Sequence, residues 1–509
     1  MPSTSEKLAQ SLLVLKEIQD SGKIAIRAGD ITRTHRERLL NSGFIQEVMK
    51  GWYIPMHPGE APGDSTAWYA SFWDFCANYL RSRFGNAWCL SPEQSLALQT
   101  GNWNVPQQLL VRTPKGGNKP THLLYGTSIF DVRLKLPQTE DIEKLNGLNI
   151  MSLAAALIAC RPTHFTAAPL ETRSALAMLN EPSELLHKML EGSHSKVAGR
   201  LAGALRNIGR DHIADTILQT MQAAGYTVYE VDPFTESSPI LFGNRETSPY
   251  VNRLKMMWFG FRQDIIKHFP PTPGKSKSPN KIAHFLQQMD HLYASDAYHS
   301  LSIEGYRVNA SLIERVQSGN WNPEKVKEDK EQFNALAARG YWQAFQAVKA
   351  SIIDVLNGKD AGEATADDYQ AWYRELFAPS VAAGIISATD LAGLRNRPVY
   401  IRQSMHTPPK SDAVRDLMPT FFELLQQEES AEVRIVLGHF TFVYIHPFID
   451  GNGRTARFLM NLMLTAGGYP WLVIPVERRN EYMQALESAS VDHDIVPFTQ
   501  FLARLLTAK

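Results

Sequence analysis

The chain has 509 residues, 44% of them hydrophobic and 20% charged, and its 52 Lys and Arg are balanced by 52 Asp and Glu. At about 150 residues per domain this length predicts three or four domains, and zero net charge leaves any nucleic-acid binding to a local patch. No stretch reaches the roughly 18 apolar residues of a membrane span, and the polar start lacks a signal-peptide core. Three cysteines in no metal-like spacing, Cys76, Cys89 and Cys160, argue for a reducing cytoplasm and against a disulfide framework or zinc site.

Residues 1–58 read as helix, helix, helix and hairpin. "SEKLAQSLLVLKEIQDSG" is the first helix, "KIAIRAGD" a second short element and "TRTHRERLLNSG" the third, before "FIQEVMKGWYIP", where Lys50-Gly51 supplies the turn. Arg33, His35, Arg36 and Arg38 crowd the third helix, the element that would enter a major groove, and Lys50 would meet phosphate from the wing tip. Eight Lys and Arg against six Asp and Glu in this region are a thin excess for a DNA binder. The region resembles the winged helix-turn-helix head of AbiEi-type antitoxin regulators, which implies operator DNA as a partner.

A mixed α/β domain is expected over 59–231, with a helix in "STAWYASFWDFCANYLRSRFG" and strands in "QQLLVRT" and "SIFDVRLKL". The Pro, Ser, Thr and Gly-rich 232–250 reads as a linker. "PGKS", Pro273 to Ser276, looks like the end of a P-loop, but Phe269 stands where that loop needs its first glycine. A surface loop is the better reading.

From Val251 the pattern is overwhelmingly helical. "SLSIEG" sets Ser300 and Glu304 four apart, on one face of a helix. "RPVYIRQSMHTPP" is a β-type run in which Val399, Tyr400 and Ile401 would align an extended segment by strand addition. The helical run "AEVRIVLGHFTFVYI" then delivers "HPFIDGNGRTAR", His446 to Arg457. Pro447 forces His446 out of helical geometry. Gly451, Asn452 and Gly453 let backbone N–H groups converge at the start of a new helix, where an anion would sit. Arg454 and Arg457, three apart in its first turn, add two guanidinium forks. Asp450 beside a polyphosphate is placed to hold Mg²⁺, and His446 is a base suited to neutral pH. The parts together describe phosphate chemistry with a base at hand.

"HPFIDGNGRTAR" resembles the signature of Fic domains, H-x-F-x-[D/E]-G-N-G-R-x-x-R, at every specified position. The resemblance implies a mainly α-helical Fic fold over 251–509 with a β-hairpin flap at Arg397–Met418, and transfer of AMP from ATP to a Ser, Thr or Tyr hydroxyl of a target protein. His446 would be the general base, Asp450 the Mg²⁺ ligand, Gly451, Asn452 and Gly453 the anion hole, and Arg454 and Arg457 the phosphate clamps. "RNEYMQAL", Arg479 to Leu486, resembles a helix that walls the adenine pocket. "SLSIEG" resembles the inhibitory motif of the class with an upstream helix, in which the glutamate, here Glu304, pairs with the second arginine, here Arg457. A self-restrained adenylyltransferase is the expected function. The alternatives are a DNA-binding regulator whose Fic module senses nucleotide, and transfer of another nucleotide, since glycines and arginines read only phosphates. The target and the nucleobase stay open; a homodimer would suit a two-fold operator.

Overall fold

A computed structural model describes residues 3–56, 58, 64–242, 248–273, 279–318 and 333–507. The P-loop-like Gly274–Ser276 and the middle of the expected linker, 243–247, lie outside the described residues. The chain divides into two compact units: Met1–Arg253 with Tyr400–Thr407, and Leu254–Val399 with Pro408–Lys509.

The first unit opens with the helix Thr4–Asp20, started by a reciprocal cap in which Ser3 Oγ accepts from Glu6 N–H and the Glu6 carboxylate accepts from Ser3 N–H. The second expected helix does not form. "KIAIRAGD" is instead the short strand β1 (Ile26–Arg27) and a turn closed by Asp30, whose carboxylate accepts from Arg27 N–H at 2.9 Å. Tertiary packing decides the local conformation: Ile26 in a strand is fully buried among Leu15, Ile31, Leu39, Ile45 and Tyr53. The helix Arg33–Asn41 follows, then the hairpin β2 (Ile45–Met49) and β3 (Trp52–Pro55), giving a three-stranded antiparallel sheet in the order β1-β3-β2. Val48 and Ile54 share a core with Trp68, Phe72 and Phe75 of the next helix, Thr66–Phe84, so packing runs on through residue 58.

That helix lies in one core with a mixed sheet of β4 (Cys89–Leu90), β5 (Gln108–Thr113), β6 (Pro120–His122) and β7 (Ser128–Arg133), ordered β4-β5-β7-β6, with β5 and β7 parallel. The strands expected in "QQLLVRT" and "SIFDVRLKL" are β5 and β7. A hairpin, β8 (Ile142–Leu145) and β9 (Leu148–Met151), and short helices to Ala223 complete the unit. The stretch expected to be a free linker packs here: Phe234 and Phe242 are buried, Arg173 covers the Phe234 ring at 4.3 Å, and Phe242 N–H bonds Ile208 O. Two aromatic anchors hold this polar stretch against its neighbours.

The expected β-hairpin flap is also absent, because residues 397–409 form no strand. Pro398, Pro408 and Pro409 bring no N–H, and Tyr400–Thr407 spends its backbone within the first unit. Gln403 N–H bonds Thr66 Oγ1, Met405 O accepts from Val105 N–H, Arg402 pairs with Asp64 at 2.7 Å, and His406 meets Asn104.

The second unit is helical. Its central helix, Asn452–Gly467, buries every residue except Gly453, packing on Ala431–Ile445, Phe333–Leu356 and Ala361–Ala382 and touching Pro279–Ile303. Burial all round, rather than on one stripe, marks a helix at the middle of a core and holds its N-terminus rigid.

Candidate active site

His446 caps the helix Ala431–Ile445 in the left-handed region at φ +53°, its N–H bonded to Phe442 O at 3.0 Å. A non-glycine residue held there is strained. Pro447 after it ends the helix, and the strain aims the imidazole out of the helix axis. Nδ1 lies 3.1 Å from Val443 O, so that nitrogen carries the proton and Nε2 keeps its lone pair. Burial depresses the imidazole pKa to about 4, helped by the positive Arg395 and opposed by Val443 O, Glu304 and Asp450. The ring is neutral at physiological pH.

The loop after it is pinned by two side chains. Phe448 is fully buried and stacks on Tyr373 at 3.8 Å between centroids. Asn452 closes the loop with both ends of its amide, Oδ1 accepting from Phe448 N–H and Nδ2 donating to Phe448 O, each at 2.9 Å. Gly451 starts the central helix at φ +78°, and a Cβ there would meet Phe377 at 2.8 Å. The first intrahelical bond is Thr455 N–H to Gly451 O, so the N–H groups of Asn452, Gly453 and Arg454 have no acceptor in their own helix.

Two arginines three apart in sequence go to different places. Arg454, 1% exposed, lies between the rings of Tyr306 and Phe377 at 5.0 and 4.9 Å and pairs with Asp450 at 3.2 Å. Arg457, 4% exposed, turns to the end of the helix Pro279–Ile303: Nε donates to Ser300 Oγ at 2.9 Å, and Nη2 donates to Ser300 O at 3.0 Å and to Glu304 Oε1 at 2.7 Å. Burial opposes the charge on both members of this pair, yet Arg457 and Arg454 hold the Glu304 carboxyl below its ordinary range, and Glu304 in return raises Arg457. The same Glu304 oxygen would stand 2.3 Å from a Cβ on Gly453, so only glycine lets the carboxylate settle against the helix N-terminus. Arg457 Nη1 and Arg454 Nε are buried without a partner among the described residues, capacity that suits an anion.

Asp450 keeps 62% of its side chain exposed while accepting from Gly451 N–H at 2.6 Å. Among the described residues no group of three or more His, Cys, Asp or Glu could hold a metal. A lone exposed carboxylate fits a hard cation whose other ligands come from phosphate oxygens and water.

His446, Gly451, Asn452, Gly453, Arg454, Arg457, Asp450, Ser300 and Glu304 thus converge in the second unit, with Val399 in the same unit and Tyr400 and Ile401 in the first. The candidate DNA contacts are used differently. His35 meets Ser11, Arg36 bonds Ala28 O, Arg38 bonds Lys7 O and Ser11 Oγ, and Arg33 pairs with Glu37. Lys50 stands at the hairpin turn. Sequence reasoning missed Asp296, buried one turn before Ser300 and bonded by Tyr341 OH at 2.7 Å, whose carboxyl burial raises to about 6. The i, i+4, i+8 series Asp296, Ser300, Glu304 was its available signal.

Residues 363–464 match the model of the Fic/DOC family, and the chain therefore carries a Fic domain. Protein adenylyltransferase Fic from Drosophila virilis is 31% identical over 215 residues, 42% of this chain and 40% of the relative. The same-named protein of Drosophila willistoni is 31% identical over 42% and 39% of the two chains. The match spans about two fifths of these curated relatives' own length. Among solved structures, Fic-1 (residues 134–508) from C. elegans aligns with 70% of this chain and 95% of its own at 18% identity and a TM-score of 0.36. A Fic domain-containing signalling protein from Bacteroides thetaiotaomicron aligns with 49% and 93% at 18% identity and a TM-score of 0.31. Among the described residues no helix is long and apolar enough to cross a membrane.

Proposed function

We propose that this protein is an adenylyltransferase that moves AMP from ATP to a Ser, Thr or Tyr hydroxyl of a target protein and is restrained by its own Glu304. The observation that carries the reading is the position of Glu304 Oε1, 2.7 Å from Arg457 Nη2 and against Gly453, where a nucleotide phosphate would meet the same donors. The named activity of the relatives supports it. Neutral His446 Nε2 takes the proton of the target hydroxyl. The oxygen bonds to the α-phosphorus, the bond from that phosphorus to the β-phosphate oxygen breaks, and pyrophosphate leaves. The N–H groups of Asn452, Gly453 and Arg454, with the two guanidiniums, hold the phosphates and meet the charge that develops on them. Asp450 would hold Mg²⁺ with the phosphates, an ion that screens their charge. The backbone around Val399, in the same unit as His446, would align the target segment.

Transfer of label from α-labelled ATP to protein tests this in the wild type, Glu304→Gly, and Glu304→Gly with His446→Ala. Label in the second and none in the third is the expected result. No label in any of them, with ATP bound, sinks the reading, and α-labelled UTP run in parallel reads the base preference. The helix, strand, helix and hairpin order of residues 3–56 supports a winged-helix reading of the head, for which operator DNA is the candidate partner. A gel shift with the DNA upstream of its own gene tests that separately, and dimerisation would be read by light scattering.

A further inference from the structure

One side chain that the proposed mechanism does not use is buried beside the base. Arg395 is 2% exposed. Its guanidinium donates from Nε to His446 O at 2.7 Å, from Nη1 to Arg397 O at 3.3 Å, and from Nη2 to Pro409 O and to Ile445 O. Its own N–H bonds Pro447 O at 2.9 Å. One residue therefore fastens the carbonyls of Ile445, His446 and Pro447, across the strained cap, and the carbonyls of Arg397 and Pro409, the two ends of the segment that carries Val399. A fork of five fixed donors suits four carbonyls, and an ammonium with one nitrogen cannot reach them all.

We propose that Arg395 is the positioning residue of this site, fixing the left-handed turn that aims the His446 imidazole and tying that turn to the chain at Arg397 and Pro409. The base is thereby held in place, and a misplacement of about 1 Å costs roughly 100-fold in rate. The inference rests on the adenylyl-transfer reading. Its signature is a split: turnover falls while ATP binding holds.

The test uses the full chain with Glu304→Gly, α-labelled ATP with Mg²⁺, and self-labelling as the probe, comparing Arg395, Arg395→Lys and Arg395→Met. Both variants are expected to label about 100-fold more slowly with KM for ATP within about two-fold, and Lys is expected not to rescue. Equal rates for Arg395→Lys and its parent would overturn the proposal. A second readout needs no activity: nitrogen-15 spectra of the imidazoles, with His446 assigned by its loss in His446→Ala. The parent should show His446 protonated on Nδ1 alone, and both variants a mixture of tautomers as the ring leaves Val443 O. An unchanged signature in Arg395→Lys overturns the proposal even if the protein transfers no label, whereas a mixed one supports it and confines the failure to the transfer reading.

Discussion

The helix Arg33–Asn41 and the first two turns of Asn452–Gly467 both gather basic side chains, and both suggest phosphate from sequence alone, yet their donors are spent in opposite ways. In the first, Arg36 and Arg38 bond the backbone of neighbouring elements and His35 meets Ser11. In the second, Arg454 and Arg457 are nearly fully buried and each still holds a nitrogen without a partner among the described residues. A surface cation with its hydrogen bonds made inside the fold is part of the scaffold. A buried one with donors left over is a socket. Exposure is therefore the wrong guide to which cluster suits phosphate; unspent donors are the better one.

The sharpest break of this comparison comes from the socket. Replacing His446 by Ala in the Glu304→Gly protein should lower label transfer by about 1,000-fold or more, within the range that a positioned base supplies, with ATP affinity measured by calorimetry unchanged. Next in size is Glu304→Gly itself. Removing an internal competitor worth about 1.4–2.8 kcal/mol corresponds to about 10–100-fold, so label incorporation should rise by that factor over the wild type. An unchanged rate would mean that the Arg457 pair is structural and that the socket is not occupied from within.

How far this site could be read in advance follows from the distances in sequence. The turn at His446, the glycine loop and the two arginines are local, and local spacing exposes them. Arg454 and Arg457 at i and i+3 nonetheless diverge, one between Tyr306 and Phe377 and the other toward Ser300. The Glu304 contact spans 153 residues, and only the family resemblance pointed to it. Arg395 carried no signal, since an arginine in a loop looks alike whether it is solvated or bonded to four carbonyls. The hairpin at 397–409 failed for a related reason: its partners, Thr66 and Asn104, lie more than 300 residues away. In the head, strand formation at Ile26 was decided by a core that no eight-residue window contains.

A pH experiment compares the buried base chemistry with ordinary histidine. His439 is fully buried, hydrogen-bonds Tyr482 OH through Nε2 at 2.8 Å, and is depressed to about 3 by burial and by Arg457. The native state therefore refuses a proton that the unfolded chain accepts below about 6.5. The sign follows: stability is lost as pH falls from about 6.5 toward 3, at up to about 1.4 kcal/mol per pH unit for this one proton. His439→Gln should flatten denaturant-derived stability over that window relative to the wild type. An unaltered slope would show that His439 titrates normally.

The smallest effect tests the scaffold half of the comparison. Arg38 donates to Lys7 O at 2.7 Å and to Ser11 Oγ at 2.8 Å, joining the helix Arg33–Asn41 to Thr4–Asp20. Arg38→Ala leaves those acceptors short of a donor and should cost about 1–2 kcal/mol, read as a fall of a few degrees in the lowest thermal transition. Arg33→Ala removes a fully exposed pair with Glu37 and should leave that transition in place. If the head binds its operator, the order reverses in a gel shift normalised to folded protein: Arg33→Ala weakens binding and lowers its salt dependence, while Arg38→Ala does neither. Equal losses from both would mean that Arg38 reaches DNA despite its bonds, and the division between spent and unspent donors would then fail at the surface, where water can replace a lost partner, while still holding in the buried socket.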